Sequence, residues 1–255
     1  MKSFRVFAFL FAFALLAAPL AQAEPFVGEN LTYEFGWSGF TAARAEVSIG
    51  SINYDGDDCY NIKIEVRSLA RLDWIWKVRD KLTSYPRKSD LLPKYFFWKQ
   101  REGKYNLDTE IKHDKQVGVL RSKRTRYKDD KIKPYKDKWT TAAGRLDPLG
   151  SLLHMRSQDL KVGGVYNIKV FEGKREHDIR YEVVSREKLT TKFGELDTFA
   201  IIPRVVKSSK GGADKIKVEK VSKVKIWLTT TPEHMIVRVE SKAWIGAVFA
   251  ELVKK

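Results

Sequence analysis

A single cysteine in 255 residues leaves no internal disulfide, so a large core must hold the fold without staples. That residue, Cys59, precedes Tyr60 at a strand start and reads as a small buried thiol rather than a nucleophile. Histidine is scarce too. His113, His154, His177 and His234 lie far apart, with no pair at metal-binding spacing. No glycine-rich loop opens a helix, which removes the usual phosphate cradle. Gly36-Trp37-Ser38-Gly39-Phe40 lacks the last glycine of a nucleophile elbow and falls in a β-hairpin. Asp55, Asp57 and Asp58 lack the spacing and distal glutamate of a calcium loop, so they read as a turn. These absences leave no catalytic set, no metal site and no cofactor site, and the expectation is a protein that is not an enzyme.

Long apolar runs are confined to the N-terminus. Lys2 and Arg5 precede an apolar stretch from Val6 to Leu20, and Ala21-Gln22-Ala23 then gives a small-x-small cleavage pattern. The expectation is a signal peptide over 1–23, cut between Ala23 and Glu24, with 24–255 as the mature chain. No cysteine follows the run, so the mature protein is expected in the periplasm and not as a lipoprotein. No later segment is apolar enough to cross a bilayer as a helix. Removing Lys2 and Arg5 lowers the formal charge from +16 to +14. In the cell envelope the anionic partners on offer are membrane headgroups and wall polymers rather than nucleic acid. An anionic membrane surface is therefore the expected charged partner, although a charge run such as 121–138 also serves as a solvated connection.

What is present is alternation with period two, the mark of strands with one buried face. Leu31, Tyr33, Phe35 and Trp37 share one face; Ala45, Val47 and Ile49 form another set, as do Tyr60, Ile62, Ile64 and Val66. Asp55-Gly56 is a tight-turn pair. Leu69 to Trp76 reads as a helical turn or loop that tucks two tryptophans inward. Strands follow near 77–85, 94–101, 105–113 and 116–124. After the middle of the chain they resume at Tyr166–Val170, with a polar loop at 208–214 and a last strand from Trp244 to Val253. One helix interrupts them. Asp147 caps it, Pro148 suits its first position, and Leu149, Leu152 and Leu153 share a face. Val27-Gly28 before Leu31 is echoed by Val162-Gly163 before Tyr166, a sign of a pseudo-repeat that opens each half.

About 12–14 strands with short connections predict an all-β domain: a large antiparallel curled sheet or open barrel with one short central helix. Two strand-rich halves join near 140–165. Sheet edges need covering, and curling or closure is the usual solution. A membrane-spanning barrel fits less well, since 31% of residues are charged and no aromatic girdles flank the apolar ones. A curled sheet of this size either packs solid or encloses an apolar cavity. The residues expected to line such a cavity are Tyr33, Phe35, Trp37, Ile62, Ile64, Phe97, Ile168 and Ile226, with Leu152 and Leu153 from the helix as lid. A lipid or other amphipathic envelope molecule is the expected ligand. A scaffold with a filled core, acting through protein contacts, is the alternative.

Several stretches together resemble a bacterial family, the domain of unknown function 3108. They are Gly28-Glu29-x-Leu31-x-Tyr33, Val78-Arg79-Asp80 with Ser84-Tyr85, and Leu91-Leu92-Pro93. Next come Arg101-Glu102-Gly103-Lys104-Tyr105 and Asp147-Pro148-Leu149-x-Ser151-Leu152-Leu153-x-x-Arg156. Ile226-Trp227-Leu228 through Val237-Arg238-Val239 completes the set. Gly150 departs from the Ser or similar helix former expected there. The resemblance implies an exported envelope protein, mostly β, with no assigned reaction, similar in outline to the curled sheets of periplasmic lipoprotein and lipid carriers.

Overall fold

The computed structural model describes residues 25–128, 131–207, 217–218, 223–243 and 246–255. The expected cleavage point at Ala23 and Glu24, the 208–214 loop and the strand start at Trp244 lie outside the described residues. The first half carries β1 (Asn30–Trp37), β2 (Phe40–Tyr54), β3 (Asp57–Ser68), β4 (Arg79–Pro86), β5 (Pro93–Glu102), β6 (Tyr105–Asp114) and β7 (Val119–Lys128). Short β8 (Lys131–Pro134), β9 (Lys138–Thr141) and β10 (Arg145–Leu146) precede the helix α1 (Pro148–Arg156). The second half carries β11 (Val165–Phe171), β12 (Glu176–Thr191), β13 (Gly194–Lys207) and β14 (Lys217–Val218). It ends with β15 (Lys223–Thr229), β16 (Ile236–Ala243) and β17 (Gly246–Lys254).

All 17 strands belong to one sheet. The excess over the expected 12–14 consists of β8, β9, β10 and β14, pieces of two to four residues. Strands β1 to β7 form an antiparallel meander, and β17 returns to pair with β1. Beyond β17 the order runs β16, β15, β13, β12, β11 and β10, antiparallel except for the last pair. The free edges are thus β8 and β9, both on β7, and β10. Tight turns set the registers: Ser38-Gly39 and Asp55-Gly56 have positive φ at both central residues, the turn whose twist matches a hairpin. The basic 121–138 stretch, expected as a connection, is largely strand: the end of β7 with β8 and the start of β9. Arg121, Lys123, Lys128, Lys131 and Lys133 are exposed, Leu120, Ser122 and Thr140 turn inward, and Arg124 and Arg126, on the Ser122 face of β7, are half-buried.

The sheet curls without closing into a barrel. Its two edges are joined by chain, since β9 and β10 are separated only by 142–144, and by side chains. Glu176 of β12 accepts from Thr140 Oγ1 of β9 at 2.5 Å and from Arg145 Nε and Nη2 of β10 at 2.8 and 2.7 Å. The β11–β12 turn presses onto β6 and β7 beside this seam. Gly173 (φ +90°) approaches so closely that a Cβ would lie 2.6 Å from Thr109 Cγ2 and 2.8 Å from Ser122 Oγ.

Helix α1 is held inside the curl at both ends. The Asp147 carboxylate accepts from the N–H groups of Leu149 (2.8 Å) and Gly150 (2.9 Å) and from Ser84 Oγ of β4 (2.7 Å). At the other end Arg156 makes a two-pronged ion pair with Glu29, at 2.9 and 2.5 Å, and donates twice to the Glu233 carbonyl. Its guanidinium lies 4.5 Å from the centre of the Phe26 ring. Leu149, Leu153 and Met155 complete the contact with the main core, which includes Ile62, Phe96, Ile111, Val170, Tyr181 and Leu228.

The echo between the halves is structural as well. Gly28 N–H donates to the Ile49 carbonyl and Ile49 N–H to Glu29; Gly163 N–H donates to Val183 and Val183 N–H to Gly164. Both glycines have positive φ, +93° and +80°. Each half therefore opens with the same turn clamped to the second strand of its first hairpin.

Two predictions concern the helix anchors. Burial pushes the Asp147 carboxyl up to about 6 from an ordinary 3.8, against the pull of Gly150, Ser84 and Leu149. The folded value exceeds the unfolded one, so the stabilising contribution is full below about pH 4 and lost as pH rises through about 6. Asp147→Asn keeps an acceptor for the helix and gains a donor for Ser84. Its urea midpoint relative to wild type is expected to improve between about pH 4 and pH 7. Asp147→Ala should be less stable at both, by about 1 kcal/mol or more from the lost cap. Glu29→Gln strands the buried Arg156 charge and should cost on the order of 3–5 kcal/mol, much of it recovered in Glu29→Met/Arg156→Met, measured by the same titration.

Candidate functional site

The curl leaves a half-open cavity of about 240 Å³ between α1 and the strands around β1. Leu31, Tyr33 and Phe35 of β1, Ala45, Val47 and Ile49 of β2, and Ile62 and Ile64 of β3 form one wall. Ile236, Val239 and Ala250 form the next, and Leu149, Leu152, Leu153 and Arg156 of the helix close the third side. Alternation explains the wall, because every second residue of each strand points inward and these are aliphatic or aromatic.

Polar groups are few and already engaged. Tyr33 Oη donates to the Ile236 carbonyl at 2.8 Å, and burial drives its phenol well above the ordinary range, so it stays neutral. Arg156 is consumed by Glu29 and the Glu233 carbonyl. No unpaired cation awaits a headgroup inside. This end is closed, for Arg156 and Phe26 are both buried. Towards the other end the inward positions lose cover. Leu31 is 5% exposed and Trp37 47%; along β17, Leu252 is 0% and Val248 42%. The mouth therefore faces the β1–β2 and β16–β17 turns, with Leu152, 38% exposed, at its side.

Of the residues expected from sequence, Tyr33, Phe35, Ile62, Ile64, Leu152 and Leu153 meet at this cavity. Four do not. Trp37 stands at the hairpin tip, beyond the cavity. Phe97 points to the other face, opposite Thr83 and Glu110, while its neighbour Phe96 is fully buried opposite Ser84 and Ile111. Tyr95-Phe96-Phe97-Trp98 is aromatic on both faces and carries no parity signal. Ile168 is buried in the filled part of the core, and Ile226 packs against it. Sequence reasoning passed over Ala45, Val47 and Ile49, whose alternation was visible, and Val239 and Ala250. Ala250 was hidden because β17 is apolar on both faces, and Val237 forms a bulge against β15 that disturbs the count.

Nothing in the cavity resembles a catalytic set. Cys59 is buried elsewhere, its thiol pushed up to about 11 by burial first and by Asp57 second. His154, on the helix, is held below its ordinary value by burial and lies 3.4 Å from Tyr181 Oη. His113 is lowered in the same way, with Lys94 and Arg87 adding to the effect. Among the described residues no three His, Cys, Asp or Glu side chains gather as a metal site. Among them, too, no helix is long and apolar enough to cross a membrane.

Comparison with known proteins agrees with this architecture. A β-barrel-like protein of the domain of unknown function DUF1849 from Brucella abortus superposes with a TM-score of 0.54 at 12% identity, over 90% of this chain and 97% of its own. That likeness concerns the fold. A chain described as a "putative lipoprotein" from Parabacteroides distasonis aligns at 10% identity over 89% of this chain and 95% of its own, with a TM-score of 0.29. No curated protein matches. The family described as "Protein of unknown function (DUF3108)" matches residues 32–253, which span the cavity walls, the helix and both halves of the sheet, and the chain belongs to that family.

Proposed function

We propose that this chain is an exported cell-envelope module of the periplasm that holds the apolar tail of an amphipathic molecule and catalyses no reaction. The observation that carries the reading is the cavity, whose wall is apolar and whose two polar side chains are both engaged. A space kept open among aliphatic side chains forgoes packing contacts, which is costly unless something fills it. At about 240 Å³ it lies just below the ~300–1,000 Å³ usual for ligand pockets, a size for one tail rather than a whole lipid. The headgroup would stay at the mouth. Export rests on the N-terminal charged, apolar and small-residue pattern. The scaffold alternative has less support, because it requires a filled core.

Native mass spectrometry of gently purified protein should show a lipid-sized adduct, and a fluorescent fatty acid should bind competitively with it. Ala45, buried on the cavity wall, is the place to fill the space. Ala45→Phe is expected to weaken probe binding at least about tenfold, roughly 1.4 kcal/mol, while the protein still melts cooperatively. A wild type with neither adduct nor probe binding would remove the carrier reading. Recovery of a periplasmic form beginning at Glu24 would test the export half separately.

A further inference from the structure

A group of large exposed apolar side chains gathers at one end of the sheet. Phe40 (76% exposed) forms the β1–β2 tip with Trp37, and Trp74 (84%), Ile75 and Trp76 (58%) follow a single 3-10 turn, Ala70–Leu72. They are neighbours in space. Leu69 N–H donates to the Ala42 carbonyl, and Arg71 Nη2 reaches the Thr41 carbonyl at 3.4 Å, which sets the turn beside the start of β2. Trp76 lies over Gly103 of the β5–β6 turn, where a Cβ would meet its ring at 3.2 Å. On the other side Ser38 N–H donates to the Ala247 carbonyl, and Trp37 pairs with Val248.

Sequence reading placed the two tryptophans of this turn inside, and the structure turns them out. Just before them Asp73 is tied back to the strands, accepting from Ser68 Oγ at 2.5 Å and pairing with Arg79 at 2.5 Å, while Trp74, Ile75 and Trp76 are exposed. Between Ala70 and Lys77 Asp73 is the only acid, and the salt bridge neutralises it. Arg71, Lys77 and Lys104 are exposed cations around the rim, and Glu102, beside Gly103, is a half-buried acid that accepts from Gln100.

We propose that this rim is a membrane-docking surface, and that its occupant is the headgroup layer of an anionic bilayer. Tryptophan beside lysine and arginine is the composition that settles at a membrane–water interface, rings at headgroup depth and cations on phosphates. Charge complementarity selects the anionic bilayer: the chain carries +16, or +14 without Lys2 and Arg5, and no unpaired acid interrupts the 70–77 turn. The inference goes beyond the cavity reading and stands without it, though the two agree, because the cavity mouth opens towards the same end.

The test is flotation of the full chain, as purified from cells, with vesicles of phosphatidylethanolamine and phosphatidylglycerol, against vesicles of phosphatidylcholine alone. Wild type should float with the anionic vesicles, with its tryptophan emission shifted to the blue. Phe40→Ser/Trp74→Ser/Trp76→Ser should weaken that binding at least about tenfold. Arg71→Gln/Lys77→Gln/Lys104→Gln should abolish the preference for anionic lipid and the dependence on salt. Ala45→Phe, which blocks the cavity, should float like wild type, so failure of the carrier reading leaves this result standing. Wild type that stays unbound, or an aromatic triple variant that binds as tightly, overturns the proposal. So does sedimentation showing a wild-type dimer that the aromatic variant dissolves, for then a second copy covers the rim. If the aromatic variant melts lower, the charge variant, altered only at exposed side chains, decides.

Discussion

The Asp147 carboxylate is the constraint on which the interior depends. A buried acid is costly unless its oxygens are occupied, and here two helix N–H groups and Ser84 occupy them. The same group thus starts α1 and fixes it to β4. With Arg156 clamped to Glu29 at the far end, the helix cannot slide or tilt away from β1. The cavity is the space a nine-residue rod leaves when held at both ends against a curved wall. A freer helix would settle into it.

Polar contacts of this kind recur where the stretches that resemble the family meet. Asp80 accepts from the Arg101 N–H at 2.7 Å and from Trp98 Nε1 at 3.3 Å. Arg101 pairs with Asp108 at 2.7 Å, and Arg79 holds Asp73. Asp80, Arg79 and Arg101 are thus joints between strands.

Much of the architecture was legible because the turns and alternation agree. Ser38-Gly39, Asp55-Gly56 and Asp147-Pro148 each specify local geometry by steric rules that tertiary contacts do not override. The paired glycines Gly28 and Gly163 marked two turns of the same geometry. The cavity was half legible: parity found Tyr33, Phe35, Ile62 and Ile64, and failed at Phe97 because both faces of β5 are aromatic. The rim was misread, since the 69–76 stretch has no periodicity to fix a face and its anchors, Ser68 and Arg79 on Asp73, lie on two different strands. Strands β8 to β10 were missed because segments of two to four residues carry too little periodicity to register.

The seam gives the molecule a property that a fully hydrogen-bonded barrel lacks. A cylinder closed by a continuous backbone ladder has a fixed girth, because widening it means breaking a row of bonds at once. Here the circumference is fastened at Glu176, which grips Thr140 and Arg145, with Gly173 seated against β6 and β7 and a three-residue tether behind. Widening such a cuff would mean undoing one buckle rather than a row of ladder bonds.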